Sequence, residues 1–284
     1  MAFWLRKADI PYYVHIVGDP EDVAKAKTWH WPRFLSCAVS QHYKKRFQKL
    51  VRCSRGALSV TELYLKNKYP SGISKNDQGV SDVRLPEEIF KERSRDFEQR
   101  PIRLIIVGAL LQYKGHDILL KALSKINSQC VWRLDIVGDG SCRPALEKCA
   151  KNLGISEKVD FCGRLKWGKN LFDKLEQADL FILSSLTEGM PRVVLEAMAK
   201  SLPVIAADVG GISEVLPSDV LFKAGDVDGL AKVISKTWNH PARLKELSQM
   251  NYKRVQDFRQ VHLSRIRRQW LQRMRNGWQP DSEC

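Results

Sequence analysis

From residue 101 onward the chain alternates short apolar segments with segments of helical spacing, and this alternation limits the fold more than any other feature. Two apolar runs of strand length, Ile102–Val107 and Trp132–Val137, are each followed by a glycine and then by a helical pattern. Strands that alternate with helices form βαβ units, which build a parallel sheet with right-handed crossovers. The pattern therefore predicts an α/β fold with one complete Rossmann-like domain over residues 101–240. Its later strands are expected at residues 159–161, 179–185, 202–207 and 220–222, and its helices at residues 114–126, 144–153, 171–177, from Pro191 onward, and at 227–238.

The front of the chain is predicted to hold a partial domain of the same kind, over residues 1–85. Strands are expected at residues 12–17 and 56–60, with helices at 33–50 and 61–68, the second capped by Thr61. A complete domain of this class usually needs roughly 150 residues, so the front part is short. Residues 86–100 are polar and read as a linker, and residues 241–284 as a basic helical tail.

Two glutamates eight positions apart, Glu188 and Glu196, mark the candidate site. Pro191 suits the first position of a helix, so Glu188 stands just outside the helix start and Glu196 about a turn and a half inside it. Free N–H groups at a helix start bind anions such as phosphate, and a carboxylate beside them accepts hydrogen bonds from sugar hydroxyls. The preceding strand puts both acids at the carboxyl edge of the sheet, where open α/β sheets bind ligands. The pattern indicates a nucleotide sugar, although an acid favoured by the helix dipole also accounts for Glu188.

This acid pair and its surroundings resemble the Glu-x7-Glu signature of the retaining, GT-B-fold glycosyltransferases of family four. The similarity covers residues 101–239, with a weaker match over residues 9–85. The resemblance implies that a hexose moves from a nucleoside-diphosphate sugar to an acceptor hydroxyl with retained configuration. It also implies that Glu196 holds the ribose and that Glu188 lies by the donor sugar. The Gly-rich loop that opens the family's N-terminal domain has no counterpart, so the front domain is expected to begin near the middle of the family's.

The loop after the first strand of the complete domain contains two further candidates, Gly108 and Lys114. The resemblance implies an arginine and a lysine on the donor diphosphate here. Lys114 matches the lysine, with a solvated lysine as the alternative, but Ala109 stands where the arginine is expected. Losing a charged hydrogen bond costs about 1.5–3 kcal/mol, so donor binding is expected to be weakened unless Arg164 substitutes.

The predicted site is completed by glycines and by the residues around the helix start. Gly138 follows the second strand and is expected to shape the nucleotide pocket. Asp19 is a candidate for orienting the acceptor hydroxyl, with a turn-stabilising role before Pro20 as the alternative. The catalytic candidates are Glu188 and Lys114, and the donor-binding candidates are Gly108, Lys114, Gly138, Arg164, Glu188, Gly189, Met190, Pro191, Arg192, Val193 and Glu196.

The net charge of +15 calls for an anionic partner. Phosphate-bearing substrates and anionic lipid fit such a field; no pattern of a nucleic-acid-binding module accompanies it, so nucleic acid is not expected. The tail is Arg-rich on one side and Trp-rich on the other, so it either lies on an anionic membrane or packs its apolar stripe on the body of the protein. Seven cysteines without a Cys-x-x-Cys pair, no spanning segment and no signal-like start favour the cytoplasm, with placement at the inner membrane face as an extension. No metal cluster and no cofactor besides the donor substrate are expected.

The favoured function is a hexosyltransferase of cell-envelope glycan or glycolipid synthesis. Ala109 and the short front part keep a second reading open, in which the chain is a truncated non-catalytic homologue that binds a nucleotide sugar. A related form of it is one half of a split enzyme, with a partner chain completing the N-terminal domain. A sugar-nucleotide epimerase on the same fold ranks last, because the histidine pattern expected for its acid–base chemistry is missing.

Overall fold

A computed structural model of the chain describes residues 11–27, 31–92, 97, 101–126 and 131–276. The ends of the chain and most of the second half of the predicted linker lie outside the described residues. The chain divides into two compact units. The first consists of Met1–Arg84, Glu188–Met190 and Asp257–Cys284, and the second of Leu85–Thr187 and Pro191–Gln256.

The first unit is built on a small parallel sheet of three strands in the order β1-β2-β3. Val14 of β1 lies opposite Ala57 of β2, and Leu58 of β2 lies opposite Gln78 of β3. Its elements in chain order are β1 (Val14–Ile16), α1 (Pro20–Lys27), α2 (Arg33–Arg52), β2 (Ala57–Ser59), α3 (Tyr64–Lys68) and β3 (Gln78–Gly79).

The predicted helix at residues 61–68 is corrected by the structure, because α3 begins only at Tyr64. Thr61 nevertheless acts on this helix as a capping residue does. Its hydroxyl accepts the Leu65 N–H at 2.7 Å. A side-chain oxygen that accepts an orphan N–H satisfies one of the free donors at a helix start. Leu65 itself is fully buried and packs with Ile16 and Val51 in the core of the unit.

A long helix near the C-terminus, Gln260–Asn276, also belongs to the first unit. Its apolar stripe is covered, since Leu263, Trp270 and Met274 pack with Leu58 and Val80 of the same unit. The Trp270 indole N–H donates to the Asn76 carbonyl at 2.7 Å. Of the two readings of the tail, the structure favours the helix that packs on the body of the protein.

The second unit contains a six-stranded parallel sheet in the order β6-β5-β4-β7-β8-β9. Every residue of β7 and β8 is buried, which is typical of parallel strands covered on both faces and explains their continuous apolar sequence. The Rossmann-like α/β domain predicted from the alternation is confirmed. The strands are β4 (Ile102–Val107), β5 (Trp132–Val137), β6 (Val159–Gly163), β7 (Leu180–Leu183), β8 (Val204–Ala207) and β9 (Leu221–Phe222).

The helices of the second unit follow the predicted order with shifted ends. The largest shift is at the first helix, predicted at residues 114–126, which begins at His116 after a separate 3₁₀ turn, Gln112–Lys114. The helix predicted at residues 227–238 is confirmed with the same bounds. The helices are α4 (His116–Lys125), α5 (Arg143–Asn152), α6 (Lys169–Gln177), α7 (Arg192–Ala199), α8 (Val227–Trp238) and α9 (Pro241–Val255), and the helix of the first unit, Gln260–Asn276, is α10.

The order of the strands creates a switch in the direction of the chain. From the central strand β4 the chain builds outward through β5 to β6, and it then returns to the other side of β4 with β7. In open α/β sheets ligands bind outside the carboxyl ends of the strands at such a switch point. Here the point lies between the loops that follow β4 and β7. None of the helices formed by the described residues has the length and apolar character needed to cross a membrane.

Candidate active site

The loops after β4 and β7 are held together by hydrogen bonds across the switch point. The Leu186 N–H donates to the Tyr113 carbonyl at 2.7 Å, and the Ser184 hydroxyl donates to the Gly115 carbonyl at 2.8 Å. These bonds join the loop that carries Lys114 to the loop that leads into α7. The structure thus brings two regions that the sequence assigned to the site onto one edge of the sheet.

Gly115 makes this close approach sterically feasible. Its φ of +63° lies in the left-handed region, and a Cβ on it would overlap the Ser184 carbonyl oxygen. Both the left-handed φ and this overlap disfavour any residue other than glycine at position 115. Gly115 also separates Lys114 from α4, so the prediction of Lys114 at the start of the helix is wrong by two residues. The Lys114 ammonium lies 5.2 Å from the centroid of the Tyr113 ring.

The start of α7 provides free backbone donors and a positive dipole end. Pro191 is the N-cap, with φ −71° and ψ 115°, rather than the first helical residue as predicted. No side chain caps the helix, and its first turn contains no acidic residue. Val193 is half-buried in that first turn. An uncapped helix start of this kind attracts anions through its N–H groups and its dipole.

Glu196 lies inside α7 and is a buried acid of the second unit. The residue is only 2% exposed. Its Oε1 atom accepts two hydrogen bonds, from the Trp167 indole N–H at 2.8 Å and from the Arg192 Nε at 2.7 Å. No partner of the second carboxylate oxygen is found among the residues that the structure describes. One oxygen is therefore held by protein donors, while the other retains its acceptor capacity.

The environment of Glu196 opposes its own charge. Burial raises the pKa of the Glu196 carboxyl above its usual range, and the hydrogen bonds and positive charge from Trp167 and Arg192 only partly offset that effect. An ionised carboxylate that is buried in this way lowers the stability of the fold, and such residues cluster at ligand-binding sites. Glu196 therefore has the character expected of a binding residue rather than of a structural one.

Trp167 is the site residue that the sequence analysis missed. The Arg192 guanidinium stacks over its ring at 4.3 Å, and Phe172 meets the ring edge-on at 5.7 Å. The following residue, Gly168, has φ +109° and ψ −143°, a conformation open essentially to glycine alone. A tryptophan directly before a glycine that starts a helix was the available signal. Because the partner, Glu196, lies 29 positions away, only the tertiary fold shows the contact.

The glycines after β4 and β5 have different reasons for being glycine. Gly108 has open space where a Cβ would stand, which leaves room for a ligand. Gly138 has φ +143°, and its Cβ would overlap the Gly108 carbonyl oxygen. A side chain at position 140 would overlap the Leu110 carbonyl oxygen, which lies 2.6 Å from the position of a Cβ atom. Gly138 and Gly140 are thus explained by packing of two loops of the protein.

A buried histidine next to Lys114 was not among the predicted site residues. His116 begins α4 and is 3% exposed, and neither of its ring nitrogens has a hydrogen-bond partner among the described residues. Burial, assisted by the charge of Lys114, lowers the pKa of His116 to about 4. The imidazole is therefore neutral at physiological pH and does not add positive charge to the site.

Two other predicted site regions are not drawn into the cluster around Glu196. Glu188, Gly189 and Met190 belong to the first unit and are half-buried. Arg164 follows β6 and is exposed. Its proposed role as a substitute for the arginine missing at Ala109 stays a prediction.

Asp19, the candidate on the acceptor side, is tied up inside the first unit. It is 3% exposed and accepts hydrogen bonds from the Tyr69 hydroxyl at 2.6 Å, the Tyr64 hydroxyl at 2.9 Å and the Lys68 ammonium at 2.5 Å. It also accepts the backbone N–H of Glu21 at 2.9 Å, which caps α1. Burial by itself raises the pKa of Asp19, but these donors outweigh it and leave the pKa below the usual range. The geometry favours the alternative reading, in which Asp19 stabilises the turn and its surroundings.

The chain matches a known family over more than half of its length, since the model of glycosyl transferases group 1 covers residues 87–254. Among curated proteins, Protein CapJ of Staphylococcus aureus is 30% identical over 83% of this chain and 59% of its own length. The amylovoran biosynthesis glycosyltransferase AmsK of Erwinia amylovora is 26% identical over 69% of this chain and 50% of its own length. The chain thus spans about half to three fifths of these relatives.

Solved structures of low sequence identity share the fold. Sucrose-phosphate synthase from Thermosynechococcus elongatus aligns with a TM-score of 0.73 at 19% identity, over 97% of this chain and 71% of its own. The Anabaena HepE protein, solved in complex with UDP-glucose, aligns with a TM-score of 0.71 at 19% identity, over 97% and 75%. These likenesses confirm the predicted GT-B-like fold. Together with the family match, they establish that the chain belongs to the glycosyl transferases of group 1.

Proposed function

We propose that this chain moves a hexose from a nucleoside-diphosphate sugar to an acceptor hydroxyl, with retention of configuration at the anomeric carbon. The observation that carries the proposal is the buried carboxylate of Glu196, held through one oxygen by Trp167 and Arg192. It stands one and a half turns inside a helix whose start has no capping side chain. A carboxylate behind an uncapped helix start is suited to a sugar hydroxyl and a phosphate of one ligand.

The donor diphosphate rests at the start of α7, where backbone N–H groups and the helix dipole face it. Lys114 supplies a mobile positive charge from the neighbouring loop, which Gly115 allows to approach. Preorganised donors of this kind stabilise the charge that develops on a leaving group. The helix start and the lysine thereby fill the role that a metal ion has in other transferases.

The nucleotide ribose binds to the second oxygen of Glu196, since the first is occupied by protein donors. Trp167 and Arg192 hold the carboxylate in one orientation, and their stacking limits the freedom of both side chains. Glu188 orients the donor sugar. The anomeric carbon–oxygen bond to the diphosphate breaks, the acceptor oxygen bonds to the same face of that carbon, and a diphosphate oxygen takes the proton of the acceptor.

The acceptor belongs to the cell-envelope glycans or glycolipids, and the reaction takes place at the inner face of the membrane. The support is in the names of the relatives, which include amylovoran biosynthesis, colanic acid biosynthesis and lipopolysaccharide core biosynthesis. For the donor, the Anabaena relative of similar fold binds UDP-glucose, which makes uridine diphosphate sugars the first to test.

A second candidate function is supported by Ala109 and by the share of the relatives that the chain spans. According to this second candidate, the chain binds a nucleotide sugar without turnover, or it turns the nucleotide sugar over only with a partner chain that completes the first unit. The missing arginine at Ala109 removes one phosphate contact, which weakens the stabilisation of the leaving group more than the binding of ribose.

Release of free nucleoside diphosphate from a panel of donors, with isothermal titration of the same nucleotides, separates the two candidates. Turnover that is lost in Glu196→Ala and retained in Glu147→Ala supports the transferase, because Glu147 is an exposed glutamate of the same unit that pairs with Arg143 on its own helix. Binding without turnover by the unaltered chain favours the second candidate. If no nucleoside diphosphate binds, both are refuted. The anomeric coupling constant of the product, measured by NMR, tests retention.

A further inference from the structure

The first unit exposes a group of large apolar side chains that its own core does not use. Phe34 is 72% exposed, Tyr43 56% and Trp31 44%, and Leu35 and Val23 are exposed as well. Contiguous apolar surface on a soluble protein marks an interaction site more often than chance. Trp31, Tyr43 and Val23 border a cavity of about 510 Å³, which Phe34 and Leu35 do not line.

Phe34 and Leu35 stand at the start of α2, which is strongly basic further along. Val39, Tyr43 and Phe47, which line the cavity, lie on the other side of this helix. The 20 residues of α2 contain no aspartate or glutamate. Phe34 and Ala38 at its beginning are followed at helical spacing by Lys45, Lys49 and Arg52, so these five residues share one side of the helix. All five are exposed. The stripe therefore runs from apolar to basic over roughly 27 Å, at about 1.5 Å per residue.

The positive charge of this stripe is not neutralised by nearby acids. Lys44, which lies outside this stripe, pairs with Glu21 at 3.0 Å, and Lys25 and Lys68 pair with the same acid. For Lys45, Arg46, Lys49 and Arg52, no ion pair is found within the described part of the chain. Glu21 is thus engaged by other lysines, and the exposed side of α2 keeps its positive charge.

We propose that the exposed side of α2, with Phe34 and Leu35 at its apolar end, is a peripheral binding surface for an anionic lipid bilayer. Apolar and aromatic side chains enter the boundary between headgroups and acyl chains, while lysine and arginine bind the anionic headgroups. Nucleic-acid grooves interleave aromatic side chains with cations so that bases stack between them. On α2 the two kinds of residue are separated along the helix and the apolar end includes aliphatic residues, which favours a bilayer.

This assignment differs from the one that the sequence suggested, in which the basic and Trp-rich C-terminal helix contacts the membrane. The apolar stripe of α10 is already buried by the first unit, as Trp270 and Met274 show. Insertion of that stripe would require α10 to leave the protein. The exposed side of α2 requires no such rearrangement. The inference also does not depend on the proposed donor chemistry.

Sedimentation of the full chain with phosphatidylcholine vesicles, with and without phosphatidylglycerol, tests the proposal at low and at high salt. Binding is expected only with the anionic vesicles. Since each cation near such a surface changes the binding constant about fivefold at low salt, the triple variant Lys45→Gln, Lys49→Gln, Arg52→Gln is expected to weaken it about a hundredfold. The matched control removes the same charge from α10, through Arg265→Gln, Arg268→Gln and Arg275→Gln, and is expected to cost less than tenfold.

A second pair of variants tests the apolar end. Phe34→Ser with Leu35→Ser is expected to abolish the binding that persists at high salt, whereas Val261→Ser with Leu271→Ser, two exposed residues of α10, is expected to leave it unchanged. Nucleotide titration and thermal melting check that each variant is folded. Three results would overturn the proposal: equal loss in the α2 and α10 variants, no preference for anionic vesicles, or a Phe34-dependent dimer or oligonucleotide complex in place of vesicle binding.

Discussion

Replacing Glu196 by glutamine is expected to weaken nucleotide binding without destabilising the protein. Glutamine keeps the size of the side chain, and its carbonyl oxygen can still accept the bonds from Trp167 and Arg192. Its NH₂ group, however, cannot accept a hydrogen bond from a ribose hydroxyl. The substitution therefore removes the acceptor that Glu196 offers to the ribose and preserves the protein contacts.

The magnitude follows from the bond that is lost. A hydrogen bond to a charged acceptor contributes about 1.5–3 kcal/mol, so the dissociation constant of the nucleoside diphosphate is expected to rise roughly 10-fold to 150-fold. Stability should move the other way. Burial raises the pKa of Glu196 in the folded chain, so the ionised form destabilises the fold at any pH above the unfolded pKa. The variant is spared this effect, and its free energy of unfolding relative to the unaltered protein should increase as the pH rises through the folded pKa.

Isothermal titration with nucleoside diphosphates and urea unfolding at pH 5 and pH 8 measure the two effects. Glu176→Gln is the matched control, because Glu176 pairs with the buried Lys200 at 2.9 Å. It is expected to lower the free energy of unfolding by about 1–3 kcal/mol and to leave nucleotide affinity unchanged. If Glu196→Gln instead behaves like the control, destabilised but with full affinity, then Glu196 is a structural residue and the reasoning fails.

Three further substitutions test other parts of the structure. His116→Phe should reduce the loss of stability at acidic pH. The pKa of His116 is about 4 in the folded chain, so the unaltered protein loses up to about 3 kcal/mol of stability as the pH falls from about 6.5 toward 4. Urea midpoints of the variant and the unaltered protein across that pH range measure the difference. Gly115→Ala should destabilise by at least about 2 kcal/mol through its left-handed φ and the overlap with Ser184, and should weaken nucleotide binding in titration; an unchanged melting curve would contradict the geometry. Asp19→Ala should cost about 3–5 kcal/mol, because it removes the buried acceptor of the Lys68, Tyr69 and Tyr64 side chains, although Lys68 retains its pairing with Glu21. Because the folded-state pKa of Asp19 is lowered, that contribution is present above about pH 3.8 and lost below it, and nucleotide affinity of the folded protein should be unchanged.

Much of the second unit could be predicted from local pattern. β4, β5 and α8 have the bounds expected from the sequence, since their apolar residues must be buried whatever the rest of the chain does. The ends of α4 and α7 were displaced because Gly115 and Pro191 act through backbone geometry that depends on neighbouring loops.

The alternation of strands and helices, and the two glutamates with their helix, were determined by the sequence itself, because each rests on residues within a few positions of one another. Tertiary structure decided what depends on distant partners. The strand order puts the switch point between β4 and β7, so the Lys114 loop meets the loop that leads to α7. Trp167 reaches Glu196 across 29 positions. The fate of the C-terminal helix was likewise settled by packing, since an amphipathic pattern states that an apolar stripe must be covered but not which surface covers it.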